Sequence, residues 1–176
     1  MIVQPSICLC MIVKNESVAI ERCLASVRDL ITTWVISDTG STDGTQKIIR
    51  NALRDIPGEL HEEPWVDFGQ NRSLNISHAR GKADYLLLLD ADHEIRQDDA
   101  LPPLTADAYM LRHEGAFEYW IRRLVRGTSP GATRVSPTNT SPPTSRPISR
   151  NSTLWSSWTM PTEDRVTTSP SVTHVC

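Results

Sequence analysis

Residues 85–94 read YLLLLDADHE: four consecutive leucines run straight into two aspartates one residue apart. A run this apolar has the length and character of a buried strand. Carboxylates at the end of such a strand are costly unless they are paired or bound to a metal. Along a strand, residues i and i+2 share a face about 7 Å apart. Asp90 and Asp92 are therefore expected to present both carboxylates to one spot at the strand's C-terminal end. Two hard oxygen donors suit Mg²⁺ or Mn²⁺, ions commonly shared with substrate phosphates. The plainer alternative is a solvated acidic loop behind a core strand.

The same alternation of apolar strand and polar loop recurs upstream. SICLCMIV (6–13) reads as a central strand. Ile20, Cys23, Leu24, Val27 and Ile31 then recur at helical spacing. TWVIS (33–37) is a second strand, and DTGSTDGT (38–45) is a turn whose last residues are expected to cap the helix TQKIIRNAL. Pro57-Gly58 breaks the chain before a third strand, ELHEE, and residues 69–81 form a helix leading into the leucines. Beyond Asp92 come a loop with Pro102-Pro103 and two alternating segments around Glu114-Gly115, the pattern of an antiparallel hairpin. The order predicts an α/β domain over residues 1–127: a mostly parallel sheet, helices on both faces, and ligands beyond the carboxyl ends of the strands.

The 176 residues suffice for one domain with a hydrophobic core. A formal net charge of −3 without a basic block argues against nucleic acid as partner. No stretch approaches the ~20 apolar residues of a membrane helix. The N-terminus has no basic region or cleavage site of a signal peptide, so the expected location is the cytoplasm. Cysteines stand at 8, 10, 23 and 176 without a CxxC pair, and the five histidines show no zinc spacing. Cys8 and Cys10 are expected on one face of the first strand.

From Thr128 onward the composition changes: 28 of the last 49 residues are Ser, Thr or Pro, and Lys is absent. Such a segment buries too little apolar surface to offset its ordering entropy, which predicts a disordered tail over 128–176. A sharper reading comes from codons. Written for residues 127–141 and read from the third base, permitted synonymous choices give DLPWRYEGVTHEYLT, a string of globular character. The tail is therefore expected to be translated out of frame, truncating the domain after about residue 127.

The ordered set MIVKNE, VISDTGSTDGT and YLLLLDADHE resembles the family-2 glycosyltransferases, nucleotide-sugar enzymes of the GT-A (Rossmann-like) fold. FGQNRSLNISHARGKADYLLLLDAD is similar to a bacterial branch whose relatives carry helical repeats or modify peptides. The resemblance implies a nucleotide-sugar donor, a carbohydrate, peptide or lipid acceptor, and a divalent metal, Mn²⁺ or Mg²⁺, in a DxD motif. It places Asn15 and Glu16 at the nucleotide pocket. It sets Asp38 and Thr39 where the family commonly has an acid pair for base and ribose; Thr39 departs from that pattern. Gly40 and Gly44 match the tight loop, Asn71 and Arg72 a contact to nucleotide or diphosphate. Asp90 would meet ribose or metal, and Asp92 would ligate the metal. Each has a plainer alternative: Asp38 and Asp43 as turn and cap residues, Arg72 as a solvated helix residue, Glu16 as a helix N-terminal charge, and His93 and Glu94 as loop surface.

In the intact family the general base comes from the half after the hairpin, so the catalytic residue is expected to be missing here. Thr162-Glu163-Asp164 resembles an acceptor-base motif but has no strand or helix pattern around it. The leading expectation is thus the donor half of a metal-assisted, inverting glycosyltransferase. The alternatives are a non-catalytic nucleotide or nucleotide-sugar binding module, a degenerate inactive fragment, or Asp90 as a phosphoaspartate acceptor.

Overall fold

The computed structural model describes residues 4–97, 101–114 and 118–127, together with the backbone of 153–159. Its elements are β1 (Ile7–Val13), α1 (Ile20–Val27), β2 (Thr33–Asp38), α2 (Thr45–Ala52), β3 (Gly58–Glu62), α3 (Phe68–Ala79), β4 (Tyr85–Leu88), β5 (Glu94–Arg96), β6 (Ala108–Glu114), β7 (Tyr119–Arg126) and β8 (Thr153–Thr159). The strands form one sheet in the order β3-β2-β1-β4-β7-β6-β8-β5. β3, β2, β1 and β4 run parallel. β7 then pairs antiparallel with β4, and β6 with β7.

β1 is buried on both faces, as a central parallel strand must be. Ile7, Leu9, Met11 and Val13 join Ile20, Leu24, Ile49 and Leu53 under α1 and α2. Cys8 and Cys10 point the other way and meet Val35, Ala79 and Leu86 beneath α3. Helices therefore cover both faces, and the free thiols Cys8, Cys10 and Cys23 are buried. α3 turns an amide to the sheet: Asn75 Nδ2 donates to Val35 O and to Ser37 Oγ, each at 3.1 Å. Chain order moves outward from β1 through β2 to β3, and α3 then returns the chain to β4 on the other side of β1. That reversal falls between β1 and β4, and in such sheets ligands usually bind beyond the carboxyl ends of the strands at such a point.

Two expectations need correction. The leucine strand stops at Leu88, whose neighbour Leu89 makes a last ladder bond from its N–H to Cys10 O at 3.1 Å. The chain then turns, His93 N donating to Asp90 O at 3.1 Å. Asp90 and Asp92 accordingly lie in a turn, and the same-face argument for a strand does not apply to them. The expected loop after Asp92 contains a short strand, β5, because Ile95 reaches the core beneath α1 and its N–H meets Ser26 Oγ at 2.9 Å. Within the expected tail, Thr153–Thr159 is extended and pairs with β6 and β5. Its sequence, TLWSSWT, is rich in residues that favour strands, and β6 offers it an open edge. The remainder of 128–176, with Thr162, Glu163 and Asp164, lies outside the described residues.

Candidate functional site

Three loops meet at the carboxyl edge of the parallel strands. The first two, after β1 and β2, are sewn together. Asn15 takes a left-handed φ of 56°. Its N–H donates to Ser41 Oγ at 2.8 Å, and its Oδ1 accepts from Thr42 N at 2.9 Å. Glu16 N donates to Thr45 Oγ1 and Ser17 N to Asp43 Oδ2, both at 2.9 Å. Gly40 and Gly44 have φ of 100° and 91°, a region that side chains with a Cβ rarely adopt. Gly44 is the N-cap of α2 and makes no side-chain bond. The capping expected from this turn comes one residue earlier, where Asp43 Oδ1 accepts from Thr45 N at 3.1 Å and Thr45 Oγ1 at 2.6 Å. These bonds hold the exposed Asp43 carboxyl well below the usual carboxylate range, the Thr45 hydroxyl contributing most.

Asp38 is 1% exposed. One oxygen, Oδ1, accepts from Gly40 N at 2.9 Å and Ser41 N at 2.7 Å, with Gln46 Nε2 at 3.3 Å. The other, Oδ2, is buried without a partner among the described residues. Thr39 donates its N–H and its hydroxyl to Val13 O, at 2.9 and 3.1 Å. Beside it opens a groove of about 350 Å³ walled by Val13, Lys14, Glu16, Thr39, Trp65 and Phe68. Trp65 is 49% and Phe68 59% exposed, which leaves two aromatic faces open to the groove's occupant. Asn71 is buried behind them: its Oδ1 accepts from Val66 N at 2.9 Å and its Nδ2 donates to Pro64 O at 3.1 Å. Its amide thus positions the loop that leads from Pro64 to the aromatics.

The third loop holds Asp90 between two guanidinium groups. Arg72 Nη2 from α3 donates to Oδ1 at 2.6 Å, and Arg123 Nη2 from β7 to Oδ2 at 2.6 Å. Burial alone would raise the Asp90 carboxyl, but Arg123, then Arg72 and His93, outweigh it and hold the carboxyl below its ordinary value. One carboxylate between two arginines leaves a net positive charge. Arg72 Nη1 and Arg123 Nε are buried donors with no partner among the described residues. The Arg72 guanidinium also lies over the Phe68 ring, 5.1 Å from its centroid, and so links the clamp to the aromatic groove.

Arg123 is a residue that the sequence did not single out. Tyr109 pairs with Leu124 and Met110 with Arg122, so Arg123 is the extra residue of a β-bulge. The bulge turns it inward, where only 8% of its side chain is exposed. An arginine in an alternating strand carries no sign of such a bulge.

Asp92 differs from Asp90. Its side chain is 66% exposed, and His93 Nε2 lies 3.8 Å from its Oδ1. His93 Nε2 lies 3.2 Å from His113 Nε2, a contact that needs one N–H and one lone pair, so at least one ring is neutral. Burial, followed by Arg123 for His93 and by His93 and Arg123 for His113, lowers both imidazoles below their ordinary value. Glu16 is raised, by burial and then by Asp92 and Asp43, which puts its carboxyl within the field of those acids. An open carboxylate beside other acids at this edge suits a divalent cation. Asp92 fits as a direct ligand; Asp90, with both oxygens on arginines, fits less well.

Residues 8–129 match the model of glycosyl transferase family 2, and the chain belongs to that family. Over 87 residues, 49% of this chain and 20% of the relative, it is 41% identical to a TPR repeat-containing protein of Synechococcus elongatus. Over 90 residues, 51% of this chain and 20% of the relative, it is 36% identical to the SPbeta prophage-derived glycosyltransferase SunS of Bacillus subtilis. The chain thus spans about a fifth of the length of these curated relatives. Among solved structures, residues 1–349 of S. aureus TarS in complex with UDP-GlcNAc overlap 63% of this chain and 40% of that one, with a TM-score of 0.45 and 14% identity. No helix among the described residues is long and apolar enough to cross a membrane.

Proposed function

We propose that the domain binds a nucleoside diphosphate sugar at the carboxyl edge of its parallel strands and transfers the sugar, with inversion, to an acceptor hydroxyl. The observation that carries this reading is the Arg72–Asp90–Arg123 clamp beside an aromatic groove. The base lies in the groove against Trp65 and Phe68, with Thr39 at its side and Asp38 Oδ2 as an available acceptor. The diphosphate takes the spare donors of Arg72 and Arg123, fixed guanidinium forks suited to phosphate oxygens. Asp92 holds Mn²⁺ or Mg²⁺, with Asp90 contributing through the arginines it orients. When bound, the ion neutralises charge on the departing diphosphate as a Lewis acid. Asn15 and Glu16 shape the pocket floor, Asn15 by fixing the second loop. The acceptor is a carbohydrate, peptide or lipid, and the cytoplasm is the proposed location.

The general base that would deprotonate the acceptor is assigned to no described residue. The family match ends at residue 129, where the composition turns to Ser, Thr and Pro, and this supports a domain truncated by an out-of-frame tail. It also favours the second reading, a nucleotide-binding module without turnover. Sequencing the gene with its neighbours tests the frame: an open alternative frame continuing the domain supports it, and none overturns it. Donor turnover assayed with UDP- and GDP-sugars separates enzyme from module. Mn²⁺-dependent hydrolysis or transfer that is lost in Asp92→Ala supports the enzyme, whereas metal-dependent binding without turnover supports the module.

A further inference from the structure

The five histidines show no metal spacing along the chain, yet the fold gathers two of them around a carboxylate far from Asp92 in sequence. His61 lies on β3, Glu63 follows that strand, and His78 stands in the last turn of α3. One ligand atom from each lies within 4.8 Å of the other two, and among the described residues no other group of three histidine, cysteine or acidic side chains is so arranged. His78 Nε2 is 2.6 Å from Glu63 Oε1. The His61 and His78 rings stack with centroids 4.1 Å apart and planes 5° from parallel. Glu63 Oε2 is buried without a partner among the described residues. A buried carboxylate oxygen with no donor is destabilising, and a cation would satisfy it.

We propose that His61, Glu63 and His78 form a structural site for a borderline divalent cation of the Zn²⁺ class, distinct from any ion held at Asp92. Two imidazoles and one carboxylate favour Zn²⁺ or Co²⁺ over Mg²⁺, and leave a fourth position to water. The parallel rings tilt toward each other to bring both nitrogens to one ion, a side-chain rotation that leaves the backbone in place. His61 Nε2 is also 3.0 Å from Glu59 Oε2, a carboxylate whose other oxygen pairs with Lys82. The ion would tie edge strand β3 to the end of α3. It would also fix the start of the loop that carries Trp65, whose middle Asn71 already holds, and that leads to Phe68 at the head of α3. Imidazoles ligate only when neutral, so acid releases the ion.

The test is a Co²⁺ titration of the full chain followed by visible absorption, with thermal melts in Zn²⁺. A d–d band saturating at one equivalent is expected, retained in Asp92→Ala and lost in His78→Ala and Glu63→Gln. Zn²⁺ at a hundredfold excess over its Kd is expected to raise Tm by roughly 5–10 °C. Each variant is melted without metal to separate loss of ligand from loss of fold. His61→Asn, which keeps a polar ring-sized group at the strand edge, replaces His78→Ala if the latter fails to fold. Absence of the band in the wild-type chain overturns the site, as does its retention in Glu63→Gln and His61→Asn or its loss in Asp92→Ala.

Discussion

The turn after β2 and the turn after β4 are both rich in acids, and the two use them in opposite ways. Asp38 and Asp43 satisfy the N–H groups of their own turn and the loop after β1. Apart from the buried Asp38 Oδ2, each of their oxygens accepts a hydrogen bond from the protein. Asp90 and Asp92 make almost no such bonds. One is clamped by arginines from α3 and β7, and the other stands open to solvent. Acids that hold a loop are recognised by the backbone donors they collect. Acids that serve a ligand are recognised by cations brought from distant elements and by oxygens left free.

The largest effect is expected where the clamp is broken. Arg123→Ala leaves Asp90 partly buried with one guanidinium, and should lower stability by roughly 2–3 kcal/mol in urea melts. Arg123→Lys should recover only part, because a point charge does not reproduce the fork. Asp38→Ala tests the other turn. It strands the N–H groups of Gly40 and Ser41 and should destabilise by about 1–2 kcal/mol by the same measurement. A full clamp effect in Asp38→Ala with none in Arg123→Ala would reverse the contrast.

The pH dependence sharpens it. The folded pKa of Asp90 is depressed, so its contribution is present above the unfolded value near ~3.9 and is lost as pH falls through the folded one. The stability gap between wild type and Arg123→Ala should therefore be full at neutral pH, narrow somewhat through the histidine range because Arg123 disfavours charged His93 and His113, and close below about 4. A gap that persists at the lowest accessible pH would remove the charge pairing from the explanation. The smallest stability effect belongs to Asp92→Ala, within about 0.5 kcal/mol of wild type because the side chain is mostly exposed. Its loss should appear only in metal-dependent binding.

Much of this was legible in the sequence. The leucines, the alternating faces of β1 and the spacing of Ile20, Cys23, Leu24 and Val27 state the parallel core directly, because burial repeats with the period of each element. The glycines at 40 and 44 announced the tight turn. What was not legible depends on pairing between distant strands. Where β4 stops, and hence that Asp90 and Asp92 sit in a turn, is decided by the last bond to β1. The bulge that aims Arg123 at Asp90 exists only in the register of β6 with β7. Trp65 belongs to a loop without periodicity and Phe68 opens the helix that follows it, while Asn71, expected at the nucleotide, also bonds that loop. His61 and His78 are separated by 17 positions and meet only because α3 packs on β1 and β2 beside edge strand β3.

The most direct measurement is calorimetric titration of UDP and GDP into the full chain with and without Mn²⁺. At least one nucleotide is predicted to bind with Mn²⁺ and weakly without it. Arg123→Ala should reduce that affinity roughly tenfold or more, the loss of one charge-assisted contact, and Asp92→Ala should abolish the metal dependence. Binding that is equal in the wild-type chain and both variants, or no binding of either nucleotide, would contradict the assignment of this edge as the donor site.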